Sequence, residues 1–160
     1  MSANVYGDDW ERSVEHGPFA LSGASVGRAA GARRLGATVY ELPTGGRNLP
    51  YHAHFGLEEM LIVLRGCPTL RTPAGERLLA TGEVVIFHPG REGAHQLINR
   101  SDEPVRFLIV SSPAEADVVE YPDSGKVAAR GGQFGAPGAL ALMFRADNTV
   151  DYFDGEESTS

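Results

Sequence analysis

The chain has 160 residues, enough for one domain with a core of its own. Asp plus Glu number 21 against 14 Lys plus Arg, and the net charge of −7 repels phosphate backbones, which argues against a nucleic-acid partner. A composition of 42% apolar and 22% charged residues excludes a disordered chain, and a lone cysteine, Cys67, excludes an intramolecular disulfide scaffold.

Residues 1–34 read as a lead-in that ends in an edge strand. The first nine residues have neither a positive flank nor an apolar run, so no secretory signal is expected and a cytoplasmic protein is. Asp8 offers a cap for a short helix from Trp10 to Glu15, with Gly17 as its stop, and irregular structure is the equal alternative. Gly23 to Gly36 is small, basic and aperiodic, and reads as a loop.

Residues 35–112 carry short apolar segments between turns, which defines an all-β core. The expected strands are Leu35 to Leu42, Tyr51 to His54, Glu59 to Arg65, Thr69 to Thr72, Arg77 to Leu79, Glu83 to Phe87, His95 to Ile98 and Val105 to Ser111. Pro73-Ala74-Gly75-Glu76 closes a hairpin, and Arg100 to Pro104 is a polar turn. The longest apolar runs, such as Met60 to Leu64, fall far below the roughly 18 residues of a membrane span, so no membrane partner is expected.

Residues 113–154 supply strands and loops that pack on this core, with a turn at Tyr121 to Lys126 and a strand at Ala139 to Phe144. Gly131 to Ala139 holds four glycines and a proline and is a lid candidate. Residues 155–160 are an acidic tail expected to fray.

The chemistry concentrates in a few residues. His52 and His54 are two apart, so on a strand they share a face and can grip one ion. Glu59 opens the next strand and His95 a later one. Three imidazoles and a carboxylate suit Fe, Mn, Ni, Zn, Co or Cu as the divalent ion, and the absence of thiolates argues against a structural zinc site. Strand parity places Glu59 with Leu61 and Val63 and turns Glu58 outward; Glu58 is the alternative ligand if the strand begins with a bulge.

Gly46, five residues, His52-Ala53-His54, four residues, Glu59, six residues and Gly66 together resemble the first motif of the cupin superfamily. Gly82-Glu83-Val84-Val85-Ile86-Phe87, followed by His95 and, four positions on, Asn99, resembles the second. In the second motif Pro89 stands one residue late and the interval to His95 is two residues longer, so the turn from Phe87 to Gly93 is enlarged. The flavour of the stretches beginning at Leu35 and Glu92 is similar to small single-domain bacterial cupins of the sugar-phosphate-isomerase-like group.

The resemblance implies a double-stranded β-helix, the jelly-roll barrel, with little helix. It gives the ligand roles to His52, His54, Glu59 and His95 around one divalent transition metal of unspecified identity. Four protein ligands leave positions for a substrate, which catalysis needs; a purely stabilising metal is the alternative. The leading reading is an enzyme of isomerase or epimerase type acting on a small polar molecule, a sugar or sugar phosphate. An Fe(II)-dependent oxygenase and a non-catalytic small-molecule binder are the alternatives.

His88 and Lys126 are the candidates for proton transfer, against the plain readings of an exposed loop histidine and a solvated lysine. Tyr51 is expected to pack away from the metal, Arg91 to serve as a surface charge or a phosphate contact, and Arg100 to lie at the surface. Cys67 is expected as a small buried thiol. A homodimer paired through sheet edges, with residues 17–42 covering an edge, completes the expectation.

Overall fold

The computed structural model describes residues 3–132 and 137–156. β1 (Arg12–His16) and β2 (Phe19–Ala24) form a hairpin turned at Gly17, whose φ of 55° is left-handed. A short α1 (Val26–Ala30) follows, and then β3 (Gly36–Leu42). Both N-terminal expectations are thereby corrected. Asp8 caps no helix because its carboxylate is bound by Arg106, which also holds Glu41 and lies over the Trp10 ring. That anchor draws residues 7–12 onto the sheet, where they run on into β1. The stretch read as a loop contains the end of β2 and α1; at five residues the helix is too short to show an apolar period.

β4 (Ala53–His54), β5 (Glu59–Arg65), β6 (Thr69–Thr72), β7 (Gly75–Leu78), β8 (Val84–Phe87), β9 (Gln96–Ile98) and β10 (Val105–Ser111) lie within two residues of the strands expected from turn punctuation. β11 (Ala116–Tyr121) and β12 (Lys126–Gly131) form a hairpin around a 3₁₀ turn at Pro122–Ser124 and the left-handed Gly125. β13 (Leu140–Arg145) pairs with β12. The lid candidate Gly131 to Ala139 lies partly outside the described residues, as does the end of the acidic tail.

One sheet runs in the order β1-β2-β3-β10-β5-β8, a second β13-β12-β11-β4 and a third β7-β6-β9. Leu21, Leu42, Leu61, Val63 and Phe107 from the first sheet pack with Leu70 and Leu97 from the third. That is the face-to-face closure of a double-stranded β-helix, an all-β jelly roll with little helix. Alternation explains the faces: on β5, Leu61 and Val63 are fully buried while their neighbours are less so.

Motif residues that touch no ligand hold this frame. A Cβ at Gly46 would stand 2.8 Å from the Ala20 carbonyl oxygen, so only glycine fits there. The buried Asn99 amide donates to the carbonyls of Leu42, Pro43 and Glu103, tying the end of β3 to the turn before β10. Cys67 is exposed, contrary to expectation, because it sits in the link that follows Gly66 at the edge of β5. Among the described residues no helix is long and apolar enough to cross a membrane.

Candidate metal centre

His52 and His54 project to the same side, as alternation requires, with ring centroids 5.0 Å apart. His95 meets His52 across an antiparallel bridge, in which the His95 N–H donates to the His52 carbonyl at 2.9 Å. The two rings stand 4.7 Å apart. Glu59, at the head of β5, brings Oε2 to 3.4 Å from His95 Nε2 and 3.7 Å from His54 Nε2. Donor atoms of His52, His54 and Glu59 lie within 4.8 Å of one another.

Each imidazole is held from behind. The His52 Nδ1–H donates to the Pro50 carbonyl at 2.8 Å, that of His54 to Asp117 Oδ2 at 2.6 Å, and that of His95 to the Gly93 carbonyl at 3.0 Å. All three acceptors lack a proton to give, so all three rings carry hydrogen on Nδ1, which makes Nε2 the atom each would offer to a metal. Burial, with the adjacent His54, pushes His52 down to about 4; burial, with the adjacent His52, pushes His95 down to about 3. Both are neutral near pH 7, the state a metal ligand needs. Burial raises the Glu59 carboxyl above its usual range against the pull of His54. Burial would raise Asp117 too, but hydrogen bonds from His54 and the Gly56 N–H prevail and hold it low. Neutral nitrogen donors and one carboxylate fit a borderline divalent ion.

The enlarged turn after β8 serves this geometry. Phe87 lies flat on His95, 3.7 Å between centroids and 7° between planes. The chain then folds through a 3₁₀ turn at Arg91–Gly93 that delivers the Gly93 carbonyl to His95. A Cβ on Gly93 would stand 1.9 Å from the His88 carbonyl oxygen, so the turn closes only with glycine. The two added residues therefore shape the support of His95.

A cavity of about 350 Å³ opens over His52, His54 and Glu59, walled by Arg12, Tyr40, Tyr121 and Arg130 among others. His88 is not among the residues that line it: it is exposed and pairs through Nδ1 with Glu58 at 2.8 Å, on the outer side that parity assigns to Glu58. Lys126 lies with its Nζ 5.4 Å over the Tyr121 ring and is not among the residues that line the cavity. Arg91 pairs with Glu120 and Arg100 with Glu76 at the surface, and Tyr51 packs under Arg71. Sequence reasoning missed Asp117, Tyr121 and Arg130. The alternation in Ala116 to Tyr121, with Asp117, Val119 and Tyr121 on one face, was the available signal.

A closed double-stranded β-helix with inward imidazoles and a carboxylate defines a class of metal-binding barrel. Residues 38–111 match the family described as the cupin domain, so that stretch of the chain carries a cupin domain. No curated protein matches the sequence. Among solved structures the chain is similar to a cupin-superfamily sugar phosphate isomerase from Silicibacter pomeroyi. The two are 25% identical over 84% of this chain and 82% of that one, with a TM-score of 0.73. A protein from Acidithiobacillus ferrooxidans, whose name proposes the same activity, is 24% identical over 89% and 88%, with a TM-score of 0.76. The polyketide cyclase RemF from Streptomyces resistomycificus shares the fold at 24% identity over 70% and 80%, with a TM-score of 0.57.

Proposed function

We propose that this cupin is a metal-dependent enzyme that moves a proton on a small polar molecule, a sugar or sugar phosphate, as an isomerase or epimerase. The observation that carries the reading is the cluster of back-anchored His52 and His54 with Glu59 at an open cavity, with His95 behind them and its Nε2 3.4 Å from Glu59. His52, His54, Glu59 and His95 would hold one divalent transition metal ion. Such an ion, when bound, supplies Lewis-acid polarisation of a substrate oxygen. The name carried by the Silicibacter pomeroyi protein supports the substrate class.

The proton must come from the chain. His88 and Lys126 stand outside the cavity wall, so the role passes to hydroxyls that line it. Tyr40 accepts a hydrogen bond from Arg12 and keeps its own proton to give. Burial raises its phenol, against the lowering effect of Arg12, so it stays protonated and can donate to a substrate oxygen, while the proton leaving the substrate carbon passes to water in the open cavity. A homodimer belongs to the same reading, to be checked as a solution mass near twice 17.1 kDa.

The test is turnover of sugar phosphates by metal-loaded protein in D₂O, followed by proton NMR with oxygen monitored in parallel. Deuterium entering a substrate carbon without oxygen uptake supports proton transfer. Substrate-dependent oxygen uptake with Fe(II) would replace the reading with an oxygenase, and affinity without turnover would replace it with a binder.

A further inference from the structure

The six-stranded sheet turns apolar side chains to both of its faces. We propose that its outer face is the surface through which two copies of the chain pair about a twofold axis. The inference rests on the homodimer of the proposed function and names its interface.

The face follows from strand register. Leu61, Val63 and Phe87 point into the core, so the residues alternating with them point out. Leu108, Ile62 and Val84 stand opposite one another across β10, β5 and β8. Val110, Met60 and Ile86 form the next row across the same strands. Neither row holds a polar or charged side chain, whereas an antiparallel sheet with one face in water usually carries polar residues there. On β3 the rows continue in Val39 and Ala37, and α1 covers them: Val39 is buried and Gly27 lies against Ala37. At the opposite edge, on β8, Val84 and Ile86 are 53% and 42% exposed. The chain thus covers one end of an apolar face with its own helix and leaves the other end bare, as an interaction surface requires.

Size and charge point to a second copy. From Glu58 to Arg65 the face is about 27 Å long, and its three strands span about 14 Å, a flat footprint of about 400 Å². That is about half of the roughly 800 Å² that a standard interface buries on each partner, and α1 and the charged rim lie alongside to supply the remainder. The rim is self-complementary. Glu58 stands before β5 on the outer side with His88, and Arg65 ends β5 opposite Arg106, on the side where both hold Glu41. Both rim side chains stay about half exposed while making these pairs. A twofold axis lying between the two faces and across the strands sets Glu58 of each copy over Arg65 of the other. Two chains of net charge −7 repel at long range, so a charge-free face with matched ends suits a second copy.

Light scattering over a dilution series tests the interface. The wild type is expected at twice 17.1 kDa. Val84→Lys and Ile86→Lys replace side chains already exposed in one chain, so circular dichroism and metal content should not change. Each is expected to raise the dimer dissociation constant about a hundredfold, because pairing would bury an unmatched ammonium. Leu142→Lys, at an exposed apolar position of β13, should leave the mass doubled. Glu58→Arg and Arg65→Glu should each weaken pairing about tenfold, and the two together should recover most of the loss. A doubled mass that survives both lysine substitutions overturns this face and leaves a homodimer joined elsewhere, as does dissociation by Leu142→Lys alone. A double charge variant no tighter than either single one overturns the twofold arrangement. A wild type of single-chain mass at every concentration overturns the face and the homodimer together. None of these results bears on the isomerase reading, which turnover by the same samples decides separately.

Discussion

The candidate metal ligands and much of the wall around them come from different parts of the chain. His52, His54, Glu59 and His95 all lie within the cupin-domain match, on strands set by local turns. The groups that orient His54 and charge the cavity (Asp117, Tyr121, Arg130 and Arg12) come from β11, β12 and β1, outside it. The candidate ion site is thus a local motif, whereas the character of the cavity depends on the tertiary placement of the flanks. Fold does not fix function, and here the part that would select a substrate is the part the motif does not contain.

The largest expected effect probes the central group itself. In the metal-free protein His52 and His95 have ordinary values of 6.5 unfolded but about 4 and about 3 in the fold. Between those limits the unfolded chain binds more protons, so stability rises with pH across the window and is lost as pH falls through it. The loss should approach about 1.4 kcal/mol per pH unit for each imidazole. Urea midpoints measured from pH 7 to 3 would show it; a flat profile would mean the rings are solvated.

Gly93→Ala comes next. Its methyl meets a backbone carbonyl that cannot swing away, so a loss of about 3 kcal/mol and weaker metal binding are expected, read as melting temperature and metal content. An unchanged melting temperature would mean the turn does not hold His95. Asp117→Asn tests the flank. A metal affinity reduced about 10–100-fold would make β11 a functional partner of the core motif. Equal affinity in competition with a chelator would reduce it to a wall.

The smallest effect is predicted for His88→Ala, which removes an exposed pair with Glu58. Stability should shift by no more than about 0.5 kcal/mol with metal content unchanged. Loss of metal in this variant would bring His88 back into the site.

The same division explains what was legible in the sequence. The spacing of His52, His54 and Glu59 and the period-two burial of β5 are local, so the clustering of those three residues and the barrel were readable. Glu58 went to the outer face as parity dictates, and His88, read as a candidate for proton transfer, pairs with it there. Trp10 to Glu15 was misread because the decisive interaction, Asp8 with Arg106, spans almost a hundred positions. Arg12 and Arg130 carried no local mark. Only the pairing of β1 with β2, of β2 with β3, and of β11 with β12 brings them to the cavity. Lys126 looked suitable by charge and position, but its ammonium rests on Tyr121 instead.

The most direct measurement is elemental analysis of anaerobically purified protein beside His95→Ala. The account predicts about one equivalent of a divalent transition metal in the wild type and its loss in the variant. The same metal content in both proteins would contradict it, as would a wild type that takes up no ion when one is offered.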